Sequence, residues 1–279
     1  MRRDSLDPGP ALELQRNIQF PVDVLLMQRC EKGANVNRSL SVLVAMAAIM
    51  LAGARCYVPA PKVRKTVSTD SKIEIGGAES TKVLIAVGVG KLSVTGGAEA
   101  LLDARFEYNI PDWKPEVSYA VKEGFGRLTV EQPATVVGAT WPSNVRYEWN
   151  LKLSDKVPMD LEVEMGVGKM DIDTRGMNLR HLKVDAGVGE GRIDLSGATA
   201  ELTADVKAGI GMLKLLLPSD VGVRVEAEGG IGHVRAKGLT SDGEAWTNDA
   251  WGKSKVSIRV NVQGGIGEVE IETVAREAL

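Results

Sequence analysis

The stretch LEVEMGVGKMDI, Leu161 to Ile172, decides the fold. Counted from its central Val167, apolar residues stand at −6, −4 and −2 (Leu161, Val163, Met165) and again at +3 and +5 (Met170, Ile172). Alternation with period two describes an extended strand with one buried face. The step of three from Val167 to Met170 inserts one extra residue at the second glycine. That spacing predicts a bulge or bend at which glycine takes a positive φ. The intervening positions Glu162, Glu164, Lys169, Asp171 and Asp173 are charged and are expected to face water. One unit is thus two short strands joined at a glycine bend, polar outside and apolar inside.

Working outward from this stretch, the Gly-φ-Gly triplet, φ being apolar, recurs through the chain. It occurs at Gly166-Val167-Gly168, Gly187-Val188-Gly189, Gly209-Ile210-Gly211 and Gly230-Ile231-Gly232, with first glycines 21, 22 and 21 residues apart. A further copy, Gly265-Ile266-Gly267, follows 35 residues later, as if one 21-residue unit carried a 14-residue insertion. Gly88-Val89-Gly90 fits the same template, with Val83, Ile85, Val87, Leu92 and Val94 in the apolar places. Phe125 fits it too, with Tyr119, Val121, Leu128 and Val130, although Glu123 takes the −2 place. Outward charges continue at Lys183, Asp185, Arg192 and Asp194. A unit of this length cannot bury its own face, so copies must stack. The reading is all-β: a stacked, β-solenoid-like repeat of about 21 residues per unit, its glycines lined up along a corner. The alternative is an antiparallel β meander or sandwich with bulges; the near-constant period favours the solenoid. No helical segment is expected after residue 60.

Composition agrees with thin β layers. The chain has 279 residues, 31 of them glycine, and only 4% are aromatic. A formal charge of −3 gives no electrostatic reason to expect nucleic acid as a partner. The two cysteines, Cys30 and Cys56, both precede the repeat, so the repeat has neither a disulfide nor a thiolate metal site. The two histidines, His181 and His233, are too few for a histidine-built metal centre.

Leu40 to Ala54 reads LSVLVAMAAIMLAGA, an uncharged apolar run preceded by Arg29, Lys32 and Arg38 and ending in small residues at Ala52 and Ala54. This is the pattern of an export signal with an A-x-A cleavage site. At about 15 residues it is short for a spanning helix, which needs about 20, although a retained anchor is the alternative. The region ahead of it is long for a signal, and Met27 offers a start that would shorten it, leaving the first 26 residues outside the translated protein. Cys56 stands where a lipidated cysteine would, but Gly53 and Arg55 occupy places that lipidation normally fills with Leu and a small residue. The expected organisation is an export signal over 1–56, a linker over 57–74, an N-terminal β region over 75–155 and the Gly-φ-Gly repeat over 156–279.

Residues 76–133 carry Gly88-Val-Gly90-Lys-Leu92-Ser-Val94, then Gly96-Gly97-Ala98 leading to Leu101-Leu102, then Phe106-x-Tyr108-Asn109. Trp113-Lys114-Pro115-Glu116-Val117-x-Tyr119 and the Leu128-Thr129-Val130 strand follow, and Pro158-x-Asp160-Leu161 continues the likeness. This series resembles the N-terminal toast-rack domain, which is related to the C-terminal domain of the cell-wall-active-antibiotic response proteins and to bacterial surface-adhesin β-repeats. The resemblance implies a bacterial envelope protein of stacked β architecture with no established enzymatic role. Some relatives act in envelope-stress signalling through a sensor kinase. Those carry several membrane spans, whereas this chain has one short apolar run.

Candidate sites are few. Gly187-Val-Gly189-Glu-Gly191 has the look of a phosphate loop, but such a loop must lead into a helix, and here another alternating strand follows. Asp171, Asp173, Asp185, Asp194 and Asp205 could line up for Ca²⁺, yet the calcium-binding nonapeptide is absent and a solvated charged face accounts for them. Trp246 and Trp251 stand among polar residues in the insertion LTSDGEAWTNDAWG. They could stack on a ligand or partner, or fold over an open end of the stack. Trp113, Trp141 and Trp149 are expected to pack in the less regular 110–150 region. The expected function is a non-catalytic exported envelope protein presenting a rigid β-repeat surface for interaction or adhesion, without a cofactor. Its partner would be an envelope protein or cell-surface component, and the membrane would be met only through an N-terminal anchor or lipid. A regulatory role in an envelope-stress response is the alternative, and an enzyme acting on cell-wall glycan a distant one.

Overall fold

Each Gly-φ-Gly unit forms one strand pair bent at its glycines, and the bends stack on one another. The structure, a computed structural model, describes residues 62–133, 144–228 and 230–275. Four units are continuous bent strands: β2 (Ser80–Ala98), β7 (Met159–Asp173), β8 (Leu179–Asp194) and β9 (Leu202–Pro218). Two more are divided at the corner, into β10 (Gly222–Glu228) with β11 (Ile231–Lys237) and β14 (Ser257–Gln263) with β15 (Ile266–Val274). All pair in parallel, and the corner stays in register across the stack: Val89, Val167, Val188, Ile210, Ile266 and Ile231 are successive partners. The parallel, solenoid-like stack is therefore the arrangement found. The corner is a bend shared by every coil, not a bulge in one of them, since no pairing shifts register there.

The bend divides the sheet into two arms. The first arm holds the strand halves before the corner and continues through β14 to β10; the second holds the halves after it and continues through β15 to β11. Apolar rows from both arms meet in one core. Leu161, Val163, Ile172 and their counterparts Val83, Ile85, Val94, Leu182, Val184 and Ile193 are almost completely removed from water. Side chains repeating every ~4.8 Å along such a stack touch their own kind above and below, which is why aliphatic residues suffice. The buried aromatic residues gather at one end, where β3 (Leu102–Tyr108) and β6 (Tyr147–Ser154) lie beside β2. There Phe106 and Trp149 meet edge to face at 5.2 Å, and Trp113 meets Tyr147 at 5.5 Å.

Several expectations are corrected. The φ side chains point out of the bend: Val167 and Val188 are 46% exposed and Ile210 52%, so the turn begins at the first glycine and carries φ away from the core. Gly90, Gly168, Gly189, Gly211 and Gly267 have the anticipated positive φ, near 140°, whereas Gly232 is not among the positive-φ residues. Phe125 is not a corner: Glu123 and Gly124, with φ of 53° and 76°, make a two-residue hairpin turn between β4 (Glu116–Lys122) and β5 (Phe125–Glu131). Positive φ at both central residues is what a tight hairpin demands. The stretch expected as linker contributes β1 (Val67–Ile73), paired antiparallel with β3. Pro111–Trp113 forms one 3-10 turn. Spatial order also departs from sequence order, because the last unit, β14 with β15, lies between β9 and the β10–β11 unit. Asp194, expected in water, is 4% exposed, held by Arg192 and the Ser196 N–H.

Candidate interaction surface

The outward rows of the arms carry charge in cross-strand ladders. On the first arm Lys183 Nζ donates to Glu162 Oε1 at 2.6 Å, and Lys82 Nζ reaches Glu162 Oε2 at 2.8 Å. Lys183 and then Lys82 hold the Glu162 carboxyl below the usual range, and Glu162 in turn, with Asp185, raises Lys183. On the second arm Arg192 bonds Asp171 at 3.1 Å, and Lys237 pairs with Glu270 and lowers it. Burial pushes Asp173 up, but the Arg175 guanidinium and N–H outweigh it and hold the carboxyl low. Apart from the local Asp173–Arg175 pair, these contacts neutralise one coil with the next, as opposite charges facing each other across strands do.

The five aspartates weighed as a calcium row do not converge. Asp185 and Asp205 stand on the first arm, with Lys207 and Asn261 as respective neighbours, while Asp171, Asp173 and Asp194 stand on the second. Among the described residues no three His, Cys, Asp or Glu side chains come together as a metal site. His181 lies on the first arm between Asp160 and Thr203, and His233 on the second beside Glu268. Each Gly-φ-Gly runs on into strand, so none opens a helix. Cys30, Cys56, Trp141 and the apolar run from Leu40 lie outside the described residues.

The corner itself is a ridge. Val167, Val188, Ile210 and Ile266 follow one another along it at 46–52% exposure, and Ile231, the last, reaches 77%. Its glycines are forced by the stacking: a Cβ at Gly189 would strike the Gly168 carbonyl, and one at Gly211 the Gly189 carbonyl. At the opposite end Gln132 Oε1 accepts the N–H groups of Gly88 and Val89, at 2.9 and 3.1 Å, and closes the ladder.

The insertion folds as a hairpin of β12 (Thr240–Ser241) and β13 (Trp246–Thr247), and β13 pairs antiparallel with β10. Trp246 lies opposite Val225, half-buried against the core. Trp251 is half-buried beyond it, with the Arg259 guanidinium 5.6 Å from its ring centre. Sequence reasoning missed Asn248, which bolts the hairpin down. Its buried side chain accepts from the Val223 N–H at 3.0 Å and donates to the Val221 carbonyl at 2.7 Å. It also missed Asn109, whose side chain accepts from Arg146 N–H and donates to the Asn144 carbonyl. Nothing but placement between two strand ends distinguishes these asparagines from loop polar residues.

A parallel stack of bent strands with glycine corners, closed by antiparallel hairpins, defines the class. The sequence profile of the N-terminal domain of toast_rack, DUF2154, matches residues 62–216, and the chain belongs to this family. Among solved structures it is similar to a "putative cell adhesion protein" from Clostridium sporogenes, with 34% identity and a TM-score of 0.71 over 75% of this chain and 100% of that one. It also matches a "putative adhesin" from Bacteroides fragilis at 12% identity and a TM-score of 0.31, over 77% of this chain and 100% of the other. No curated protein matches the chain.

Proposed function

We propose that the protein is a non-catalytic surface module of the bacterial cell envelope, exported by way of the Leu40–Ala54 segment, that presents its charged arms and ridge to a cell-surface component or envelope protein. The observation that carries this reading is the likeness, at 34% identity over the whole of the other chain, to the "putative cell adhesion protein" of Clostridium sporogenes. The chemistry of the surface supports it. Glu162 is engaged by Lys82 and Lys183 of the coils on either side, so this carboxylate ties neighbouring coils together and is not free for acid–base work. Protease shaving of intact cells, followed by adherence assays on a deletion strain and its complemented form, tests it. Cleavage of the repeat on intact cells and adherence lost on deletion are expected. A chain found only in the cytosol, or hydrolysis of cell-wall glycan by the purified protein, would overturn it.

A further inference from the structure

The two arms end differently at the β10–β11 side of the stack. On the first arm the hairpin strand β13 covers β10, and Val223 and Val225 are fully buried behind it. On the second arm β11 pairs, among the described residues, only with β15. Its inward residues Val234 and Ala236 are only half-buried, whereas their neighbours Val269 and Ile271 on β15 are 5% and 0% exposed. Ile231 at 77%, against 50% for Ile266 beside it, marks the same missing neighbour at the corner. The other ends of the arms, at β4, β1 and β12, are strands paired antiparallel; among the described residues β11 is a repeat strand with one side left bare. Bare edges of this kind are templates for a further strand.

Charge states what that strand must carry. The outward residues of β11 are His233, Arg235 and Lys237. On the β15 side they face Glu268, Glu270 and Glu272, with Arg235 bonded to Glu268 at 2.7 Å and Lys237 to Glu270. On the other side their heads are open to solvent, Arg235 65% and Lys237 60% exposed. We infer that β11 is a strand-addition site for an extended segment of a partner protein in which aliphatic and acidic residues alternate. The aliphatic residues would cover Val234, Ala236 and Ile231, and the acidic ones would continue the ladder. Main-chain hydrogen bonds would supply affinity, and the alternating side chains specificity. A symmetric pairing of β11 with a second copy would bring Arg235 and Lys237 of one copy against those of the other, which the like-charge rule opposes. This inference rests on the reading of the protein as a surface binding module and names the chemistry of its partner.

The probe is a labelled peptide copying Gly264 to Val274 (GGIGEVEIETV), the segment that already satisfies β11 on its inner side. A control peptide carries E268K, E270K and E272K. With full-length protein, fluorescence anisotropy should show the acidic peptide binding about tenfold tighter than the control, the order expected of a few facing charge pairs. Arg235→Glu with Lys237→Glu should reverse the preference. Hydrogen exchange on the wild-type protein should show new protection confined to residues 231–237, and this decides the matter if the doubly reversed variant does not fold. Equal binding of both peptides, no binding, protection at β1 or β4 instead, or self-association through β11 would each overturn the inference. Failure here leaves shaving and adherence results untouched, and a cytosolic location would leave the peptide result standing, so the two readings fail separately.

Discussion

Gly189 lies directly over the carbonyl of Gly168, so close that a Cβ in its place would overlap the oxygen, and its own φ is 141°. The same relation links Gly168 to Gly90 below and Gly211 to Gly189 above. Gly189→Val should therefore lose at least about 1–3 kcal/mol from backbone strain alone, with the steric overlap adding to it. Glu190→Ala, one residue on, removes only an exposed pair with Lys169, worth under about 1 kcal/mol. Thermal melts of the two variants should separate clearly; matching midpoints would refute the corner.

Asn248 holds the insertion to β10 through two buried hydrogen bonds. Asn248→Ala should cost about 1–3 kcal/mol, because the Val223 N–H and Val221 carbonyl are left without partners. Asn261→Ala, which breaks an exposed bond to Asp205, should cost little. Chemical denaturation of both variants measures the contrast.

The two tryptophans of the insertion should behave differently. Trp246→Ala uncovers Val225 and should lower stability by about 2 kcal/mol, or roughly 4–8 °C in the midpoint. Trp251→Ala loses chiefly its contact with Arg259, worth about 0.5–1 kcal/mol. Acrylamide should quench Trp251 more than Trp246, read on single-tryptophan variants.

Glu162 has a folded pKa below its unfolded value, with Lys183 the foremost cause. Its contribution is present above the unfolded value, about 4.3, and is lost as pH falls through the lower folded one. Glu162→Gln should thus melt below wild type at pH 7, and the difference should shrink as pH falls below the unfolded value and vanish once the folded carboxyl is protonated. High salt should shrink it at neutral pH as well. An unchanged difference at acid pH would exclude the ladder as its source.

Cys56→Ser separates two routes to the surface. A lipidated chain should move from the membrane to the soluble envelope fraction on cell fractionation, and a chain cleaved near Ala54 should stay where it was.

The inward rows were legible because they follow from counting alone: Leu161, Val163 and Met165 alternate as a stacked strand requires, and their copies recur at fixed distance. The direction of Val167 was not, since counting by two carries it inward unless the first glycine is known to turn the chain. Gly124-Phe125-Gly126 matched the same template because hairpin strands alternate too; Glu123 in an inward place was the one sign against it. The bare edge at β11 was beyond reach. Which coil ends a stack depends on long-range order, and nothing around Ile266 says that it, and not Ile231, is the neighbour of Ile210.

That order has a consequence for how the molecule comes together. The coil made last in the sequence, β14 with β15, is an interior course of the stack, and β10, β11 and the Trp246 hairpin rest on it. During synthesis the growing chain can pile coils as far as β9, but β10 and β11 have no seat until the C-terminal strands arrive. Those strands work as a keystone. Shortening the chain before Ser257 should unseat everything from Gly222 onward, while the courses from β2 to β9 keep each other in place.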